Sequence, residues 1–129
     1  MSERIAKHKA DRGDGWSTIE EPIELARAVA DAPHSAPLVV DCITLWLSNM
    51  MLGQHDVDTA VARFIKCLDG RKAPTIVVSS EVGAGLVPET PLGRAFRDRA
   101  GLINQHLAVN AHQVFFMVAG LAMKLKALP

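Results

Sequence analysis

Residues 75–105 read TIVVSSEVGAGLVPETPLGRAFRDRAGLINQ. The apolar run Thr75-Ile76-Val77-Val78 leads into Ser79-Ser80-Glu81. A loop with Gly83, Gly85, Pro88 and Pro91 follows, and then a charged segment of helical period with Arg94, Arg97, Asp98, Arg99, Asn104 and Gln105. A strand, a polar strand end, a loop and a basic helix in that order are how an open α/β sheet presents a ligand site at the carboxyl ends of its strands.

Upstream, Leu38-Val39-Val40-Asp41-Cys42-Ile43 has the same character. It is β-branched and apolar, with one acid. A continuous apolar run of this kind reads as a strand buried on both faces of a parallel sheet. Residues 112–119 (His-Gln-Val-Phe-Phe-Met-Val-Ala) supply a third strand, and residues 121–128 a tail that is an edge strand or a short helix. Between the strands lie helical patterns: residues 23–30, residues 45–52 with Thr44 as cap, residues 60–68 with Val61, Phe64, Ile65 and Leu68 on one face, and residues 92–109. Residues 2–10 read as a short helix. Alternation around Trp16 and Thr18 suggests a short strand. Helices alternating with buried strands predict a parallel doubly wound α/β sheet, with residues 1–129 as one domain.

Composition bounds the function. The chain has 129 residues, 49% hydrophobic and 22% charged, with 14 Lys+Arg against 14 Asp+Glu. Zero net charge argues against general nucleic-acid binding, which needs a basic excess. The two cysteines, Cys42 and Cys67, form no Cys-x-x-Cys pattern and read as reduced core residues of a cytoplasmic protein. No apolar run reaches the ~20 residues of a membrane span, and the first fifteen residues lack the apolar segment of a signal peptide.

Several residues carry candidate chemistry. Asp41 ends a core strand where an acid can hold Mg²⁺ directly or through water, or can cap the next turn. Glu81 ends a second strand in the same way, so the two acids converge on one crevice; arginines nearby can equally be the partner of a buried acid. Arg94 and Arg97 can hold phosphates, or Arg94 can pair with Asp98 at i,i+4. His8 lies among Arg4, Lys7, Lys9 and Arg12. These cations would draw phosphates to a nucleophilic ring nitrogen; the plain alternative is a solvated helix with a surface histidine. His34, His55, His106 and His112 have no metal-ligand spacing. No G-x-x-x-x-G-K-[ST] phosphate loop occurs.

Taken together, the segments resemble one family. They are Arg4-Ile5-x-x-His8 with Arg12 and Trp16-Ser17-Thr18-x-Glu20-Glu21-Pro22; Val40-Asp41-Cys42-Ile43-Thr44-Leu45-Trp46-Leu47-Ser48-Asn49; Glu81-Val82-Gly83-x-Gly85-Leu86-Val87-Pro88-Glu89; Arg94-x-Phe96-Arg97-Asp98-x-Ala100-Gly101-x-x-Asn104-Gln105; and Val118-Ala119-Gly120-Leu121. In this order they resemble the bifunctional adenosylcobinamide kinase / adenosylcobinamide-phosphate guanylyltransferases of cobalamin biosynthesis.

The resemblance implies a RecA-like P-loop NTPase sheet, a homotrimer, and two reactions. One phosphorylates the hydroxyl of adenosylcobinamide from ATP or GTP. The other transfers GMP from GTP to adenosylcobinamide phosphate through a GMP–histidine intermediate. It implies that His8 is the guanylylated residue, and that Arg12, Gly13, Asp14, Gly15, Glu20, Glu21 and Asp41 contact guanine nucleotide, with Mg²⁺ at Asp41. Glu81, Arg94, Arg97 and Asp98 would position substrate. Family members carry a strand, a Gly-rich phosphate loop, a helix and a further strand ahead of a methionine that matches Met1. The chain is therefore expected to be N-terminally truncated or to have its start placed too late, and to have little activity alone.

Overall fold

A computed structural model describes residues 2–127. Met1, where the expected junction falls, and Leu128, the end of the expected tail, lie outside them. Two β-branched segments pair in parallel: β1 (Leu38–Asp41) with β2 (Thr75–Val78), in a register that sets Val39 against Ile76 and Asp41 against Val78. Parallel strands need a long crossover, and here it is helical. α3 (Ile43–Leu52) and α4 (Val57–Asp69) lie between the two strands in sequence. α1 (Ser2–Arg12) and α2 (Leu25–Asp31) precede β1, and α5 (Pro91–Asn110) follows β2. The chain closes with β3 (Val114–Val118) and β4 (Leu121–Lys126), an antiparallel hairpin forming a sheet of its own.

The core is helical. Ile43, Trp46, Leu47 and Met50 of α3 meet Val57, Val61 and Phe64 of α4, with Val29 of α2, Val40 of β1, and Ala100 and Ile103 of α5. Each set recurs at three- and four-residue intervals, so one stripe of each helix is apolar. Trp46 and Phe64 meet at a tilt, ring centroids 6.3 Å apart, an arrangement aromatic rings favour. The Trp46 indole N–H donates to Ile23 O at 2.8 Å, and the Asn49 amide donates to Pro22 O at 3.2 Å, so α3 also fixes the segment entering α2. Arg71 ties the turn before β2 to the loop before β1, donating to Thr75 Oγ1, Pro33 O and Ala36 O.

Several sequence expectations are corrected. The β1–β2 pair buries one face only: Leu38 and Val77 pack on the core and Val40 is buried, whereas Val39, Ile76 and Val78 on the other face are exposed. Alternating exposure follows because no described helix covers that second face. The third strand does not join the parallel sheet. It starts at Val114 and pairs antiparallel with β4, because the two-residue turn Ala119-Gly120 has positive φ at both positions (52° and 74°), the twist a tight hairpin needs. β1 ends at Asp41; Cys42 is the N-cap residue of α3, and Ile43 is already helical. Thr44 therefore is not a cap. No strand forms around Trp16 and Thr18: residues 16–21 belong to no helix or strand, and no described strand pairs with them to supply a ladder. Cys42 and Cys67 are free thiols, half-buried at the margin of the core.

Candidate functional site

Two groups of polar residues stand out. The first lies at the carboxyl end of the parallel sheet. Because β1 and β2 run the same way, Asp41 closes β1 and Glu81 follows β2 by three residues at the same end. The expectation that Glu81 ends the second strand is corrected: β2 stops at Val78 and Glu81 lies three residues further on, in the loop, so the two acids share one end of the sheet without both standing at strand tips. Both side chains are exposed, so neither needs an arginine to neutralise a buried charge.

Ser79 and Ser80 are held from two sides. The Ser79 hydroxyl donates to Asn104 Oδ1 at 2.6 Å, and Asn104 Nδ2 donates back to Ser80 O at 3.3 Å. The Ser80 N–H donates to Thr44 Oγ1 at 2.8 Å. One residue further on, the Glu81 carboxylate accepts from the Gly83 N–H. An Arg97 guanidinium N–H donates to Gly83 O. Arg94 donates to Pro88 O at 3.1 Å and to Glu89 O at 3.0 Å. Residues 83–89 are thereby attached to α5 at both ends, while residues 84–87 between the anchors are exposed. The helix itself starts sharply, with Thr90 as N-cap accepting from Gly93 N–H and Pro91 in the first turn, where proline fits best.

The expected Arg94–Asp98 pair is absent among the described residues. Arg94 turns back toward the loop carbonyls, and Asp98 is exposed with no ionic partner. Arg94 and Arg97 hold loop carbonyls in this structure, each with further N–H groups free to meet an anion.

The second group is N-terminal. α1 buries no residue, so His8 lies on an exposed helix. Its carbonyl accepts from Arg12 Nε at 3.2 Å, and Arg12 Nη1 donates to Thr18 Oγ1 at 3.3 Å. Gly13 ends the helix with φ of 70°, a conformation open to glycine at little cost. The chain then turns through Asp14 and Gly15, and a pocket of about 210 Å³ opens between Lys9, Arg12, Gly13, Trp16 and Thr18. Glu20 is exposed without a partner among the described residues, and Glu21 accepts from the Ile23 N–H at 3.1 Å. No hydrogen bond or ion pair joins this group to Asp41 or Glu81 among the described residues. Nor do any three His, Cys, Asp or Glu side chains among them form a metal-binding cluster.

The sequence pointed to no site role for Trp16, Thr18, Ser79 or Asn104, and offered Thr44 only as a helix cap. For Trp16 the signal was a large aromatic in a run of otherwise exposed residues. For Asn104 it was an amide two helical turns after Arg97, on the same face of one helix.

Across residues 1–125 the chain matches the family model described as cobinamide kinase / cobinamide phosphate guanyltransferase. The chain belongs to this family. It is 40% identical over 132 residues to the bifunctional adenosylcobalamin biosynthesis protein CobP of Pseudomonas aeruginosa, covering 100% of this chain and 76% of that protein. It is 31% identical over 142 residues to the bifunctional adenosylcobalamin biosynthesis protein CobU of Escherichia coli K12, covering 98% of this chain and 78% of the relative. Against CobU of Salmonella typhimurium LT2 the identity is 32% over 142 residues. Membership in the cobinamide kinase / guanyltransferase family accords with the mixed α/β architecture and its parallel strand pair. No described helix is long and apolar enough to cross a membrane.

Proposed function

We propose that this chain carries the guanylyl-transfer chemistry of a bifunctional adenosylcobinamide kinase and adenosylcobinamide-phosphate guanylyltransferase, acting in the cytoplasm as a homo-oligomer. β1 and β2 then belong to a RecA-like P-loop NTPase sheet, a reading supported by two parallel strands that both lead to acids at one end. The observation that carries the proposal is the pocket at the end of α1, just beyond His8; His8 does not line it, but its carbonyl accepts from Arg12, which does. The pocket combines two cations, Lys9 and Arg12, with the half-exposed ring of Trp16 and the hydroxyl of Thr18. Cations hold phosphate oxygens, and an aromatic wall takes the face of a base. That combination suits GTP.

In the proposed reaction a ring nitrogen of His8 attacks the α-phosphorus of GTP. The P–N bond forms as the bond from α-phosphorus to the bridging oxygen breaks, and pyrophosphate leaves. A phosphate oxygen of adenosylcobinamide phosphate then attacks the same phosphorus. The P–N bond breaks, the diphosphate linkage forms and His8 is regenerated. Arg12 hydrogen-bonds both Thr18 and the His8 carbonyl, so it holds the pocket wall relative to the nucleophile's own turn. Gly13, Asp14 and Gly15 form the turn that shapes the pocket. Glu20 and Glu21 lie just beyond it as acceptors for a guanine edge, Glu21 also bracing the start of α2.

The residues at the strand tips fit Mg²⁺. The ion prefers one or two carboxylates and fills its other positions with water and phosphate oxygens, and the Asp41 carboxylate is exposed with both oxygens free of described partners. Bound there, Mg²⁺ would neutralise phosphate charge. Glu81, Arg94, Arg97 and Asp98 would line the same crevice and orient the phosphates and the corrinoid. The kinase half would draw its phosphoryl group from ATP or GTP. The 129 residues contain no Gly-x-x-x-x-Gly-Lys-Ser/Thr loop, so the backbone N–H cradle and lysine that balance β- and γ-phosphate charge are not among them. Low turnover by this chain alone follows.

The test is labelling of the protein with a molar excess of GTP radiolabelled at the α-phosphate, in the absence of adenosylcobinamide phosphate. Slow, substoichiometric retention of one GMP by the wild type is expected, with its loss in His8→Ala. Label that persists in His8→Ala would exclude His8 as the nucleophile, and fast stoichiometric label would overturn low turnover. Bound GTP without any covalent label would favour a second reading, a nucleotide- or corrinoid-binding module without catalysis; the wholly exposed α1 is the observation on its side.

A further inference from the structure

We propose that Asn104 is a positioning residue for the acids at the carboxyl end of the parallel sheet, acting through Ser79 and Ser80 on Glu81. The inference rests on the reading that Glu81 faces the phosphates of the nucleotide.

Asn104 lies well inside α5, where an amide has no intrinsic reason to be favoured. Its two polar atoms are used in opposite senses on adjacent residues. Oδ1 accepts from the Ser79 hydroxyl, and Nδ2 donates to the Ser80 carbonyl. An amide supplies both on one short side chain, whereas a carboxylate lacks the donor and an alkyl group lacks both. Thr44 accepts the Ser80 N–H, which belongs to the preceding peptide unit. The two peptide units that flank Ser80 are therefore held one by α3, at the Ser80 N–H, and the other by α5, at the Ser80 C=O. Each unit is planar, and the second runs on to the N–H and Cα of the next residue, so anchoring both restricts the direction in which the chain enters it. That residue is Glu81.

The device continues along the helix. Seven residues before Asn104, Arg97 holds Gly83 O, and the Gly83 N–H meets the Glu81 carboxylate. One face of α5 thus grips the backbone on both sides of Glu81, at Ser80 and at Gly83. Asp41, on the neighbouring strand, ends at the same edge of the sheet. The two acids are held relative to each other by the β1–β2 ladder and by this bracket. Asn104 touches neither the pocket beside His8 nor a carboxylate, so its effect on a bound nucleotide is transmitted.

Amide exchange at Gly83 reads the device directly, because the acceptor of that N–H is the Glu81 carboxylate. In ligand-free Asn104→Ala, Gly83 exchange is expected to quicken about tenfold, the scale of one or two lost hydrogen bonds, while amides of α4 around Val61 and Phe64 stay as in the wild type. Ser79→Ala should reproduce the effect, and Ser79→Thr, which keeps the hydroxyl, should restore it. The double variant Asn104→Ala/Ser79→Ala should be close to either single one, as for residues acting through one contact. Equilibrium dialysis should give a GTP·Mg²⁺ dissociation constant raised about tenfold in the two alanine variants. Unchanged Gly83 exchange, or Gly83 and α4 quickening together, would overturn the proposal. If wild type fails to bind GTP·Mg²⁺ while Gly83 responds as stated, the nucleotide reading of the site falls and the positioning role stands. Normal Gly83 behaviour in all variants, with GTP bound equally, sinks the positioning role alone.

Discussion

Asp56 shows how far one side chain can be argued. It caps α4, accepting from the Thr59 N–H at 3.2 Å and from the Thr59 hydroxyl at 2.7 Å. Those bonds from Thr59, hydroxyl first and backbone second, hold its carboxyl below the ordinary value of 3.8. A carboxyl whose value falls on folding stabilises the fold above its unfolded value and loses that contribution as pH drops through the folded one. Asp56→Ala should therefore lower the thermal midpoint at pH 7. The gap to wild type should narrow as pH falls below 3.8, measurable by circular dichroism melts across that range. The cap was legible in the sequence only as a polar junction before residues 60–68. Arg94 was not legible at all. Its i,i+4 spacing to Asp98 satisfied the pairing rule, yet the loop carbonyls of Pro88 and Glu89 lie closer in space. Helix spacing describes neighbours on one cylinder, and has nothing to say about a loop folded back over the first turn.

At the scale of elements, β1, β2, α4 and α5 could be read from the residues because each announces its own period. Val61, Phe64, Ile65 and Leu68 form a stripe, and Thr90-Pro91 is a start signal written in two residues. The hairpin was harder. Residues 114–118 looked like one more buried strand because their apolar run is continuous, yet Phe115, Phe116, Met117 and Val118 are all exposed. Apolar composition identifies a strand but does not choose its partner. Ala119-Gly120 chose it, and alanine is a poor advertisement for that turn. Positive φ suits Gly, Asn and Asp, and costs alanine of order 1 kcal/mol. Ala119→Asn would install the Asn-Gly pair that such turns favour. It should stabilise the hairpin by about 0.5–1 kcal/mol. Slower amide exchange within β3 and β4 would verify this, and unchanged or faster exchange would refute it.

For the molecule as a whole, the sequence supported an α/β chain with a site at the carboxyl ends of its strands. It could not say which faces have neighbours. Val39, Ile76 and Val78 look as buried as Val40 and Val77 on paper, because burial depends on what packs across from them. The link from His8 to the strand tips is likewise a question of long-range geometry, and α1 contributes nothing to the core that would announce its position. The helical body is a different matter. Its closure depends on α5, whose Ala100 and Ile103 are buried against α3 and α4, whose Asn104 reaches Ser79 and Ser80, and whose Arg99 pairs with Asp58 at 3.2 Å.

The loop attached to α5 at both ends has one more consequence. Its middle is unencumbered, Leu86 being 97% exposed, while the contacts that seat α5 lie outside it. Chain continuity at that point is therefore expected to be dispensable. Residues 1–86 and 87–129, made as separate polypeptides, should reassemble around the same core without a covalent join. Co-purification of an untagged 1–86 piece with a tagged 87–129 piece, and recovery of the intact chain's circular dichroism spectrum, is the expected result. Two pieces that ignore each other would mean that the loop, and not the buried face of α5, brings the halves together.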